Sequence, residues 1–385
     1  MFIKLQNHFD GYTQFKAFTV YLFFFFIIST LFFPVLFINK LFFTLIALTY
    51  SIFILSSREK IPKIFAPVLL IIIFILGFLN GVLNFRIDFR LSIQFLFSIS
   101  ILFLIYPILH FNIDIEFIIK KISFIYALVS VLLALIINNP ILNNSFLMFL
   151  EKYTLIASGY RNILGFNQYF FHMGTVPFLI LPLYLFLVEK QTNIIKKYFS
   201  VLVIFIAIYL SSSRALYMVS FFVFVLVIYE RFDNNSKIIV GTIMIIMTVL
   251  FLVFLFTNTV FFDMGEYSNS VKSGHLLSAI DQLDIKQLLI GDGLGSIYFS
   301  RGVSRLTAHT ELTYVDLIRY FGVIFSFLIT VFMIFPRRKT RVFRIMDRIV
   351  FCLYLLLSAS NPTLFNSYGL IVVLWYWGKS LGKSI

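Results

Sequence analysis

One cysteine, Cys352, is all the chain has, so no internal disulfide can form, and no Cys or His lies near it at metal-ligand spacing. It reads as a small apolar residue buried in a membrane segment. Charge is almost as scarce: Asp, Glu, Lys and Arg make up 12% of the 385 residues, against about 25% in soluble domains. A water-soluble fold is excluded on that ground. There is no internal repeat, low-complexity linker or soluble appendage. Acidic residues are the scarcer sign, 17 against 31 basic, and the resulting +14 would suggest nucleic acid in a soluble protein. The placement of the charges argues against that partner.

What fills the sequence is apolar: 61% hydrophobic, with 52 Phe. A membrane span needs about 20 such residues. Segments of that kind fall at roughly 19–38, 41–56, 64–83, 91–109, 117–137, 165–188, 198–213, 215–229, 238–257, 311–335, 349–360 and 363–377. The expected fold class is therefore all-α, a polytopic integral membrane protein of about twelve transmembrane helices. The first segment is too long for a signal peptide's apolar core and lacks a small-residue cleavage site after it, so it reads as an anchor.

The segment "PRRKTRVFRIMDR" (Pro336–Arg348) carries six Lys/Arg against one Asp and marks a cytoplasmic linker. Counting spans from it puts both termini in the cytoplasm. It also puts the clusters Arg58–Lys63, Lys120–Lys121, Lys196–Lys197 and Arg231–Lys237 inside. Cytoplasmic segments then hold 20 of the 31 basic residues, so the positive-inside rule accounts for most of the charge. Outside, seven of eleven cations are Arg, against seven of twenty inside. A guanidinium fork grips phosphate in a way Lys does not, which points to an anionic ligand on the outer face.

Two outer linkers are long, residues 138–164 and 258–310. In the second, "SGHLLSAIDQLDIKQLLIG" places Leu276, Ile280 and Leu283 at helical spacing, as in an amphipathic helix at the membrane surface. Three polar stretches map to the same side. "YLSSSRALY" sets Arg214 where two apolar helices meet. It is either a tight turn whose Arg snorkels to headgroups or a phosphate ligand in a cavity backed by hydroxyls. "LLIGDGLGSIYFSRG" is an ordinary turn or, less simply, a backbone nest for an anion. "LTAHTELTYVDLIRYFG" puts His309, Leu312, Asp316 and Arg319 on one stripe if a helix begins near His309. Charges at that depth need partners or a wet cavity. Asp316 and Arg319, three apart, can neutralise each other, while His309 at the mouth can exchange protons near neutral pH. Arg161 sits at another outer helix entrance, His172 reads as a hydrogen-bonded core residue, and Asp88 and Arg90 as a solvated pair.

In their order and on one side of the membrane, three elements resemble the O-antigen polymerase and O-antigen ligase superfamily over roughly residues 155–335. They are "SSSR" (Ser211–Arg214), a large outer loop ending in "GDGLG" (Gly291–Gly295), and "HTEL" (His309–Leu312) with Gly322 beyond it. The resemblance implies a bacterial inner-membrane glycosyltransferase of GT-C-like architecture, residues 1–385 as one domain with a periplasmic loop at 258–310. Its donor would be an undecaprenyl-pyrophosphate-linked oligosaccharide, in lipopolysaccharide O-antigen biosynthesis. The family's essential arginine and histidine fall on Arg214 and His309. Thr310 departs from the Asn, Ser or Gln that usually follows the histidine in the ligase branch, which favours the polymerase.

The chemistry of that transfer needs a base for the acceptor hydroxyl, His309 or Glu311. It also needs cations for the departing pyrophosphate: Arg214 first, then Arg305, Arg301 and Arg161. Asp316 and Arg319 would hold the helix and shape the cavity. No DxD motif or His cluster suggests a metal, so a metal-independent, inverting reaction without cofactor is expected. Expected partners are the lipid-linked glycan, membrane lipids and a chain-length regulator, with no nucleic acid. Transfer of the glycan to lipid A–core by a ligase, polymerisation of another surface glycan such as capsule, and a flippase or transporter remain the alternatives.

Overall fold

The computed structural model describes residues 2–84, 86–137, 148–152, 156–162, 167–190, 193–258, 267–336 and 344–381. The helices of the first part are α1 (Phe2–Phe32), α2 (Ile38–Ser57), α3 (Ala66–Leu83), α4 (Phe89–Ser100), α5 (Ile105–His110) and α6 (Ile115–Ile137). A 3-10 turn, Ile101–Leu104, joins α4 to α5. A hairpin of β1 (Ile156–Asn162) and β2 (Asn167–Met173) follows, then α7 (Ile180–Val188), α8 (Ile194–Leu210), α9 (Arg214–Glu230) and α10 (Asn234–Asn258). The long linker that follows contains α11 (Tyr267–Gln282), α12 (Ile285–Ile290), β3 (Tyr298–Ser300) and β4 (Arg305–Thr307). Helices α13 (Thr313–Ile334), α14 (Ile345–Ser360) and α15 (Ser367–Leu381) close the chain.

Among the described residues, six segments are long and apolar enough to cross a bilayer: Tyr12–Phe32, Ile38–Ser57, Ala66–Leu83, Phe89–His110, Ile115–Ile137 and Thr313–Ile334. Of the other expected spans, 238–257 falls on α10, a helix of 25 residues, and the rest are met by shorter helices. α8, α9, α14 and α15 have 17, 17, 16 and 15 residues, under the usual length of about 20.

Helix covers most of the chain, but the all-α expectation needs correcting at two hairpins. The expected span 165–188 is helical only from Val176, because residues 167–173 are β2, paired antiparallel with β1 and with Gly159 opposite Phe170. The reason is a period of two: Phe171 and Met173 are buried and His172 between them is not, which suits a strand rather than a helix. β3 and β4 form the second hairpin, Phe299 opposite Leu306.

The core lies around α15, which is buried on nearly every side, as a helix apolar all round must be. Both tryptophans of the chain sit on it and both indole N–H groups are satisfied: Trp375 by Glu116 Oε1 at 2.8 Å and Trp377 by Met333 O at 2.9 Å. Tyr376 stacks on Phe351 of α14 with centroids 4.0 Å apart. Cys352, expected inside, faces outward on α14 instead; its neighbours Val350, Phe351 and Tyr354 take the buried face. Asp88 is not paired with Arg90 among the described ion pairs: its carboxylate caps α4 by accepting from Leu91 N at 3.0 Å.

The long linker between α10 and α13 is folded over its described residues, 267–312. α11 buries Val271, His275, Ser278 and Ala279 and packs on β3, where His275 Nδ1 lies 2.7 Å from Tyr298 Oη and 2.8 Å from Ser300 Oγ. Burial lowers the His275 pKa, against the raising effect of Glu311 and Asp316. The expected helix is present in part: α11 ends at Gln282, before Leu283, and Leu276 and Ile280 are exposed on it. Asp263, Glu266 and most of the basic linker after Pro336 lie outside the described residues.

Candidate functional site

Helix α13 is broken at Gly322, whose φ of 70° and ψ of 173° are not helical. A break of this kind strips the carbonyls one turn earlier of their i+4 donors. The GDGLG segment supplies replacements: Asp292 N donates to Arg319 O at 2.7 Å and Gly293 N to Tyr320 O at 3.1 Å. Leu294 N donates to Gly77 O of α3 at 2.8 Å. Approach this close requires glycine. A Cβ on Gly322 would lie 2.2 Å from Leu289 O, and one on Gly293, at φ 99°, 2.1 Å from Gly81 N. The segment's amides from Gly291 to Leu294 are all donated to carbonyls, so the alternative of an anion nest falls away. It is a clamp between α3 and α13.

The clamp holds α13 about two turns in, at Arg319 and Tyr320. That helix starts at Thr313, so His309 is not on its stripe, contrary to expectation; it lies in the connection from β4. A tight turn with Glu311 at φ 62° brings it back onto the helix. There His309 Nδ1 lies 2.6 Å from Asp316 Oδ2, and Thr310 N donates to both Asp316 oxygens at 3.1 Å. Arg319 Nη1 donates to Asp316 Oδ1 at 3.1 Å and Nη2 to Ser296 O at 2.7 Å, while its guanidinium sits 3.8 Å above the Tyr298 ring. Asp316 and Arg319 are 4% and 3% exposed, so their pairing is as expected and their burial complete.

An ionised carboxylate only accepts, so Nδ1 of His309 carries the proton and Nε2 is left to act. Burial works against the charged imidazole, but the hydrogen bond and charge of Asp316 and the charge of Glu311 outweigh it. The His309 pKa is raised as a result.

Three cavities surround this cluster. The first, about 200 Å³, has His309 and Asp316 at one end and aromatic walls of Phe74, Phe95, Tyr320, Phe321 and Phe365. The second, about 740 Å³, contains Arg214 and Lys272 among Ser211, Ser213, Ser268, Ser273 and Ser360, and among the described residues no Asp or Glu lines it. Arg214 Nη2 donates to Asn269 Oδ1 at 3.3 Å and Lys272 Nζ to Ser360 O at 2.8 Å. Ser213, the N-cap of α9, and Arg214 and Ala215, its first two residues, line it, so the positive end of that helix adds to the two cations. Leu312 and Asn361 face the second cavity, and their neighbours Thr313 and Pro362 face the first. The two spaces thus share a wall, closed by a Thr313 Oγ1–Asn361 O hydrogen bond of 3.4 Å. The third, about 640 Å³, lies on the far side of Arg319, between α3, the GDGLG segment and α12.

The expected site residues are only partly gathered. His309, Asp316 and Arg319 form one cluster, and Arg214 lies across the wall. Glu311 is exposed and lines none of the three cavities. Arg301 is paired with Asp281 at 2.7 Å, and Arg305 is exposed on β4; neither lines these cavities. The side chain of Arg161 lies outside the described residues, while His172 lines the second cavity rather than the core. Lys272 is the cation that sequence reasoning passed over, being one of several in the loop. Asn80 and Asn84 left a signal, two amides four apart at the end of an otherwise apolar helix. Among the described residues, no three of His, Cys, Asp and Glu converge as a metal site requires.

Comparison with protein-family models, with curated proteins and with solved structures finds no significant match to this chain.

Proposed function

We propose that the chain is an O-antigen polymerase, a GT-C-like inner-membrane glycosyltransferase of about twelve spans with both termini cytoplasmic. It joins undecaprenyl-pyrophosphate-linked oligosaccharide repeat units at the periplasmic face. The observation that carries this reading is the pair of neighbouring cavities: one lined by hydroxyls with Arg214 and Lys272, the other holding a histidine oriented by a buried aspartate.

In the proposed reaction the acceptor hydroxyl attacks the anomeric carbon, and its proton passes to His309 Nε2. The bond from that carbon to the pyrophosphate oxygen breaks with inversion, and the electron pair leaves with the lipid pyrophosphate. Arg214, Lys272 and the α9 terminus stabilise the growing charge in a site of low dielectric, where fixed cations act most strongly. Arg301 and Arg305 have no part in this scheme.

The test is the surface lipopolysaccharide of a strain lacking the gene, followed by complementation. A polymerase leaves a single repeat unit on lipid A–core, and neither Arg214→Ala nor His309→Ala restores the ladder at normal expression. Complete absence of attached units would replace the reading by a ligase or, if lipid-linked units accumulate inside, by a flippase. An unchanged ladder would remove O-antigen from consideration.

A further inference from the structure

The third cavity plays no part in the scheme above, yet it is the most polar of the three. From the chemistry of its lining we infer that it is a saccharide-binding site, holding a stretch of glycan chain remote from the reacting atoms. The inference rests on the glycosyltransferase reading for the source of the glycan.

Saccharides offer hydroxyls that both donate and accept, and little charge, so a site for them presents directional groups of both kinds. Asn80 Nδ2 is anchored to Gly291 O at 3.0 Å, Asn84 Nδ2 to Asp292 O at 3.1 Å and Gln282 Nε2 to Phe299 O at 2.7 Å. In each case the main chain fixes one end of a side-chain amide, and among the described residues no hydrogen bond is made by the carbonyl oxygen at the other end. Three acceptors are thereby oriented in advance, which lowers the cost of ordering a ligand. Asp284 and Asp292 add acceptors; Arg86, Lys286 and Arg319 add donors.

Charge separates this cavity from its neighbour. Three cations against two carboxylates leave it nearly balanced, whereas among the described residues the charged side chains lining the second cavity are Arg214 and Lys272. A pyrophosphate belongs in the second and a polyol in the third. Its volume falls within the range of about 300–1,000 Å³ that holds small ligands, enough for a short oligosaccharide. Arg319 forms part of its lining and also bonds Asp316, which bonds His309. A filled third cavity therefore bears on the group that carries the histidine.

The experiment is photo-crosslinking in cells whose surface glycan is radiolabelled by growth on a labelled sugar. p-Benzoylphenylalanine is placed in the full chain at one position per strain: Asn84 or Lys286 in the third cavity, Met218 in the second, or Ile246 on the outer face of α10 as a background control. The inference expects labelled glycan adducts at 84 and 286 well above 246. It also expects about a tenfold loss of label at 286 when Asn84→Ala and Gln282→Ala are combined, as the loss of two hydrogen bonds predicts. Label at 218 without label at 84 and 286 overturns the inference and leaves the glycosyltransferase reading standing. No label at any of the three removes both. Adducts at 84 and 286 that carry phospholipid or protein but no sugar also overturn it.

Discussion

Asp316→Asn keeps the size of a side chain that accepts from His309, twice from Thr310 N and once from Arg319, and removes its charge. A hydrogen bond to a charged group is worth about 1.5–3 kcal/mol. The imidazolium formed as His309 takes the acceptor's proton loses that much support, so kcat should fall about tenfold to two-hundredfold. The pH dependence is the sharper readout. A base works deprotonated, so activity fails as pH falls through the His309 pKa, which is raised above its ordinary value by Asp316 acting against burial. Without the Asp316 charge burial dominates, and the acid limb of kcat/KM must move to lower pH. The assay is turnover of lipid-linked repeat units by the full chain in lipid nanodiscs across pH, with a thermal-unfolding check. That check matters because Arg319 is left without its counter-ion, and breaking a buried pair costs about 3–5 kcal/mol. A folded variant with reduced kcat but an unmoved acid limb would refute the orienting role and leave Asp316 only structural.

Two further outcomes follow from the geometry. Gly293→Ala puts a methyl 2.1 Å from the backbone of Gly81 at a φ of 99°; the strain alone is about 1–3 kcal/mol, so the melting temperature should drop and folded yield with it. A yield and melting point equal to the parent chain would show that the GDGLG segment does not clamp α3. Lys272→Ala removes one of two cations from the second cavity and should weaken binding of inorganic pyrophosphate by about tenfold or more, as loss of a charge-assisted contact does. Calorimetric titration of the detergent-solubilised protein reads this directly, and unchanged affinity would place the anion elsewhere.

The membrane-length helices are legible because runs such as "VLLIIIFILGFL" have no other stable home than a helix in an apolar medium. The hairpin at 156–173 is not, because hydropathy over a long window averages away the alternation of Phe171, His172 and Met173. Charge depth flagged Asp316, Arg319 and His309 correctly as a group, but for a helix that begins too early. The spacing of seven suggested two turns of one face, and the chain instead loops back through Glu311. Arg214 and Lys272 are 58 positions apart, and the wall between their cavity and that of His309 is built from residues near 312 and 361. Such juxtapositions are a property of the packed fold, which no local pattern encodes. Arg301 and Arg305 show the converse, since their residue type suits a phosphate ligand but neither lines the cavity that holds Arg214.

The break in α13 ties two stages of biosynthesis together. The donors that complete it, Asp292 and Gly293, are made before the helix itself and belong to the long linker. When α13 first enters the bilayer the carbonyls of Arg319 and Tyr320 have no partner, and an orphaned carbonyl in hydrocarbon costs several kcal/mol. Insertion of this helix is therefore unfinished until the GDGLG segment has folded onto it. A lesion in the loop, far from any apolar stretch, should surface as a helix that the translocon keeps releasing only halfway.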